Sequence, residues 1–303
     1  MAALHQPDNI KVHLAGCEVQ NQYEAVRLLG VQYGLYTCYP FVERMVFGKS
    51  TAPIMPLPYQ KENPYKLIPE HIIKNERHVI QDSGLFTLMF GSKKGKVDGS
   101  IINKWYDGLV EFTLANGQGA TCVEVDCQKV LGVEQAWEFR ERMRKDLPNN
   151  RIINVFHLED GPKGLDRLIE YSDYIAISVP ELRFAHKKNM VTPLAHYIKN
   201  KKPEIDIHLL GCTELALLHE NRFCTSADST SYLSTKRYGF IKGHHQKNIK
   251  TDMVQNMVGI ERWNAINQLN NEINTNGLCL TIEYLKQQYQ KACGNQDYKY
   301  PEL

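Results

Sequence analysis

The sequence predicts an α/β fold, a (β/α)8 TIM barrel with a proline-rich insertion after the second strand and extra helices near the C-terminus. Three observations carry that prediction. Eight short apolar runs recur along the 303 residues, stretches of helical patterning separate them, and the runs are β-branched or aromatic and mostly unbroken. Strands buried on both faces of a parallel sheet read that way, whereas strands with one wet face alternate. Eight strand–helix alternations favour closure into a barrel over an open sheet, and the length suits a barrel of about 250 residues with additions.

In chain order the predicted strands are KVHLAG (11–16), YGLYTC (33–38), HVIQ (78–81), TCVEV (121–125), IINVFH (152–157), YIAIS (174–178), IDIHLL (205–210) and RFCTSA (222–227). Helical patterning falls over 97–114, with Ile101, Trp105, Leu109 and Phe112 on one face, and over 133–142 and 162–170. Residues 53–70 hold five prolines, which suits an extended insertion, either a surface loop or a lid over the site. From Asp252 onward Met253, Met257, Ile260, Trp263, Ile266, Leu269 and Ile273 follow helical spacing until Asn276-Gly277. A second helix follows with Leu278, Ile282, Leu285 and Tyr289. Residues 1–303 are therefore expected to form a single barrel domain, with 251–303 as a helical extension. Its apolar stripes would pack against the barrel or against a second copy, so a homodimer is one expected arrangement.

Composition narrows the class. Hydrophobic residues make up 43% and charged residues 23% of the chain, ordinary for an enzyme with a real core. A formal charge of +2 is too small to imply a polyanionic partner, so any such surface must be a local patch. The eight cysteines include no CxxC pair and point to reduced thiols. No run of about 18 apolar residues occurs, and the opening MAALHQPDNI has neither a basic nor an apolar leader region. The expectation is a cytoplasmic protein without a membrane partner.

In a barrel the carboxyl ends of the strands converge on one mouth, where chemistry is placed. Three aspartates follow apolar runs directly, in Gln81-Asp82-Ser83, Val125-Asp126-Cys127 and Ala227-Asp228-Ser229, and strand five delivers His157 and Glu159. An aspartate after a strand is also a good helix N-cap, but three around one mouth predict a pocket with paired carboxylates. Such a pair suits acid–base or nucleophilic work at an acetal-like carbon, as in retaining glycosidases or in exchange of a base on a ribose carbon.

Four segments resemble the guanine transglycosylases. Asp82-Ser83-Gly84-Leu85-Phe86 is similar to that family's DSGG(F/Y) motif, HLLGCTE (208–214) to its strand-seven segment, and ADSTSYLSTKRYG (227–239) to its nucleophile segment, while VEVDC (123–127) stands where the family reads the base. The resemblance covers roughly residues 78–240. It implies Asp228 as nucleophile on the sugar and Asp82 as general acid and base. It also implies a base pocket of Ser83, Gly84, Phe86, Asp126, Cys127, His157, Ser178, Leu210 and Gly211. The implied activity is exchange of guanine in DNA for a free 7-deazaguanine (preQ0-like) base through an aspartyl–sugar intermediate, protecting phage DNA from restriction. Action on tRNA, a catalytically silent nucleic-acid-binding subunit, and simple glycoside hydrolysis are the alternatives.

The departures from the family are equally specific. Its bacterial CxCxxC…H zinc site is absent, and Ser178-Val179-Pro180 replaces a glycine pair. No metal and no cofactor are expected. Lys236, Arg237, Lys242, His244, His245, Lys247 and Lys250 form a basic stretch beyond Asp228, expected either as a solvated loop or as a contact to nucleic-acid phosphates, with DNA favoured over tRNA.

Overall fold

The computed structural model describes residues 9–18, 22–23, 25–26, 29–48, 73, 78–90, 97–233 and 277–294. Within them the chain is a closed barrel of eight parallel strands in sequential order. The strands are β1 (Lys11–Ala15), β2 (Tyr33–Thr37), β3 (His78–Asp82), β4 (Thr121–Val123), β5 (Arg151–Phe156), β6 (Tyr174–Ser178), β7 (Asp206–Leu210) and β8 (Ser226–Ser229). β1 closes the ring on β8, with His13 opposite Asp228 and Leu14 opposite Ser229. The predicted 53–70 insertion, the stripe from Met253 to Ile273 and the basic stretch lie outside the described residues.

The unbroken apolar runs have the expected cause. Ala15, Leu35, Ile80, Val123, Ile153, Val155, Tyr174 and Ala176 fill the barrel interior. Neighbouring residues of the same strands, such as Val12, Val79 and Ile175, join the larger cluster beneath the outer helices. Two expectations shift. β8 begins at Ser226 rather than at Arg222, because Phe223 leaves the sheet to stack on His196. The helix Gly99–Asn116 buries Ile102 rather than Ile101, with Trp105, Tyr106, Leu109 and Phe112. Asp98 fixes that phase by accepting from the Ile101 N–H at 2.9 Å.

Residues 277–293 are helical and bury Leu278, Ile282, Leu285, Tyr289 and Cys293 against the barrel. The Ala292 carbonyl lies 2.9 Å from His219 after β7, and Lys286 donates to the Leu29 carbonyl before β2 at 2.6 Å. This helix therefore fills the outer sector beside β8 and β1. All eight cysteines are free thiols, and no helix among the described residues is long and apolar enough to cross a membrane.

One buried ion pair ties the strand ends that matter most. Glu124, just past β4, accepts from Arg140 Nε at 2.9 and 3.0 Å, from the Val155 N–H at 2.9 Å and from Asn154 Nδ2 at 2.5 Å. Arg140, on the helix Val133–Asp146, also donates to the Val155 carbonyl at 2.9 Å and lies 3.9 Å from Asp160. Both charges are 1% exposed. Burial pushes the Glu124 carboxyl up despite the guanidinium beside it. Removing one partner of such a pair strands the other charge. Arg140→Met is expected to destabilise the fold by about 3–5 kcal/mol in urea unfolding, and the double variant with Glu124→Gln should recover part of that loss.

Candidate active site at the barrel mouth

The carboxyl ends of the strands enclose a cavity of about 1230 Å³. Leu35, Val123 and Leu210 form its apolar floor, while six carboxylates line it, from Glu18, Asp82, Asp126, Glu159, Glu181 and Asp228. Lys129 and His157 are the basic groups facing them among the lining residues. Phe86 and Phe184 stand at the rim, 59% and 74% exposed.

Asp82 ends β3, and every residue around it is fixed. Gln81 points outward, accepts from Tyr36 Oη at 2.6 Å and donates to Thr113 Oγ1 at 2.6 Å. The Ser83 carbonyl accepts from Trp105 Nε1 at 3.0 Å. Gly84 has φ +72°, and a Cβ there would sit 2.7 Å from the Tyr39 backbone nitrogen, so only glycine passes. Asp82 Oδ2 accepts the Gly84 N–H at 3.1 Å. Burial, then the Asp126 charge, push the Asp82 carboxyl up to about 6, against the hydrogen bonds from Thr37 and Gly84 and with a smaller upward push from Asp228.

Asp228 sits inside β8. Its Oδ1 accepts the Gly211 N–H at 2.6 Å and lies 3.2 Å from His208 Nε2. The other nitrogen of His208 is 2.6 Å from Ser226 Oγ, which in turn is 2.5 Å from Tyr174 Oη. A buried polar chain thus runs from Asp228 down the barrel interior, and it holds the carboxylate in one orientation. Gly211, at φ +63°, passes under Pro180, whose Cγ would lie 2.7 Å from an added Cβ.

Asp126, His157 and Glu181 form a third group. His157 Nε2 lies 3.3 Å from Asp126 and Nδ1 lies 2.8 Å from Glu181, whose other oxygen is 3.1 Å from Lys129. Burial favours the neutral ring, but the two carboxylates prevail and raise His157 to about 10. Burial acts upward on Glu181, and the His157 and Lys129 contacts outweigh it, bringing it down to about 2.

Of the residues named from sequence, Asp82, Phe86, Asp126, His157, Glu159, Ser178, Leu210, Gly211 and Asp228 line this cavity. Ser83, Gly84 and Cys127 do not line it. They are buried beside it and shape its wall, and burial pushes the Cys127 thiol up to about 12. Lys236, Arg237, Lys242 and His244 lie outside the described residues. Sequence reasoning missed Glu18, Lys129, Glu181 and Phe184. The last two occupy the short helix Val179–Phe184, directly after β6, where reading the whole first turn would have found Glu181.

No family model and no curated protein matches this chain. Solved structures similar to it include 2,3-dimethylmalate lyase, described as a PEP mutase/isocitrate lyase superfamily member, at 11% identity and TM-score 0.39, covering 86% of this chain and 94% of the other. Oxaloacetate acetylhydrolase is another, at 9% identity and TM-score 0.42, covering 86% and 90%. The guanine transglycosylase assignment is corrected. No model of that family matches and the similar structures are named for other activities, so base exchange in DNA or tRNA, the pentosyltransferase class, restriction evasion and the silent nucleic-acid-binding subunit are withdrawn with it. The motif-like residues have local causes instead, since Gly84 must clear Tyr39 and the Ser83 carbonyl anchors Trp105. Likeness at this level carries none of the neighbours' activities to this chain.

The Asp82 environment has a consequence for stability. Its carboxyl binds a proton more tightly in the folded chain than in the unfolded one, where the value is near 3.8. Folding stability contributed by this group therefore falls as pH rises from about 4 to about 6 and is level above that. Asp82→Asn is expected to be more stable than the native chain above pH ~6, on the order of 2 kcal/mol, with the difference vanishing below pH ~4. Urea unfolding of both proteins across that range checks it.

Proposed function

We propose that the chain is an enzyme that binds a small organic molecule in the barrel mouth and moves a proton on it, with Asp82 as the acid–base group and Asp228 as a fixed carboxylate facing the same molecule. The observation that carries this reading is the convergence of Asp82, Asp126 and Asp228 on one cavity with an apolar floor. A general acid–base group works best when it exchanges its proton near the working pH, and burial, then the Asp126 charge, bring Asp82 toward it. Asp228, pinned by Gly211 and His208, would stabilise positive charge that develops on the bound molecule.

The lining also describes the substrate. Among the described residues, six carboxylates against Lys129 and His157 disfavour a bare anion and favour electropositive partners, whether N–H or O–H donors, an ammonium group or a cation. Leu35, Val123 and Leu210 would contact an apolar body. Phe86 and Phe184 are placed to cover it from the rim.

Incubation of the native protein with a pooled small-metabolite extract, followed by mass spectrometry, tests this. At least one compound should be converted, and Asp82→Asn should slow that conversion about 10²–10⁴-fold. Equal conversion by the two proteins would remove Asp82 from the chemistry. No conversion, together with ligand-observed NMR binding that Asp82→Asn leaves intact, would make the mouth a binding site without catalysis.

A further inference from the structure

We propose that His157, Glu159 and Glu181 bind one divalent first-row transition-metal ion on the β5–β6 side of the mouth. One potential ligand atom from each of the three lies within 4.8 Å of the others. A nitrogen and two carboxylate oxygens suit manganese, iron, cobalt or zinc, and the imidazole argues against magnesium or calcium.

The buried histidine supplies the second observation. His157 is 7% exposed, and neither ring nitrogen makes an aligned hydrogen bond. The Glu181 oxygen lies 2.8 Å from Nδ1 and the Asp126 oxygen 3.3 Å from Nε2. A metal ion on Nδ1 would take the Glu181 oxygen as a second ligand. Asp126 is then on the opposite nitrogen, the place where a carboxylate outside the coordination shell orients a metal-bound imidazole. The backbone keeps the ring in position, because the His157 N–H donates to Asp160 Oδ2 at 2.9 Å.

Closing the three ligands onto one ion needs a small adjustment. Glu159 is exposed on the 3₁₀ turn Leu158–Asp160, whereas His157 is buried and Glu181 is paired with Lys129. Three protein ligands leave further coordination positions open toward the cavity, as in catalytic rather than structural metal sites. An ion there would offset part of the carboxylate excess and give a carbonyl or anionic group of the substrate a point of attachment. The inference reverses the expectation of no metal drawn from the missing cysteine cluster, because this ligand set contains no cysteine. It concerns ion binding without substrate, so it stands or falls separately from the proton-transfer reading.

The full chain, freed of metal by chelator and dialysed, would be titrated with MnCl2 while free Mn²⁺ is followed by electron paramagnetic resonance. One ion per chain is expected to bind. Glu159→Gln and His157→Gln should each weaken binding at least ~10-fold, and Asp126→Asn about 10-fold. Circular dichroism would confirm folding, and Glu159→Gln keeps the test intact if His157→Gln unfolds. Glu204→Gln, an exposed carboxylate away from the three ligands, should leave affinity unchanged. Absence of saturable Mn²⁺ binding, or binding that Glu159→Gln leaves intact, would overturn the site.

Discussion

Carboxylate crowding at the barrel mouth is the constraint on which the rest of this structure depends. Eight parallel strands deliver their carboxyl ends to one ring, and three of them bring Asp82, Asp126 and Asp228 there. Like charges in a partly dry cavity cannot all be ionised without cost, so the protein separates their roles. Asp126 faces the His157 ring, Asp228 receives the Gly211 N–H, and Asp82 keeps its proton to higher pH.

The frame around the mouth is built to tolerate that crowding. Outward-facing residues of the same strands carry the anchoring: Gln81 between Tyr36 and Thr113, and Glu124 between Arg140 and the β5 backbone. Alternation along each strand does the rest, placing an anchor on one side of the sheet and a functional group on the other. Glycine is required where the backbone turns away from the mouth, at Gly84 against Tyr39 and at Gly211 against Pro180.

Much of this was legible in the sequence, and the reasons for the rest are physical. The unbroken apolar runs reported the barrel because parallel strands bury both faces, and the first polar residues after them reported Asp82, Asp126, His157 and Asp228. The β8 boundary was not legible, because Phe223 and Cys224 are as apolar in a turn as in a strand. Glu181 and Lys129 were not legible because their pairing is made between the turns after β4 and β6, two strands apart, rather than along the chain. The resemblance to guanine transglycosylases misled for a related reason. A strand-end aspartate, a small residue and a turn glycine answer to packing in this barrel, and a short motif built from them does not specify an activity.

The central claim is that burial in the mouth and, second to it, the neighbouring Asp126 charge, not a special hydrogen bond, keep Asp82 ready to exchange its proton at about pH 6. Carbon-13 NMR of the labelled aspartate carboxyls, followed through a pH titration, measures this directly. The account predicts an Asp82 midpoint of about 6 that moves downward when Asp126 is replaced by asparagine. A midpoint at the ordinary aspartate value of about 4, or one that the loss of Asp126 does not move, would contradict it.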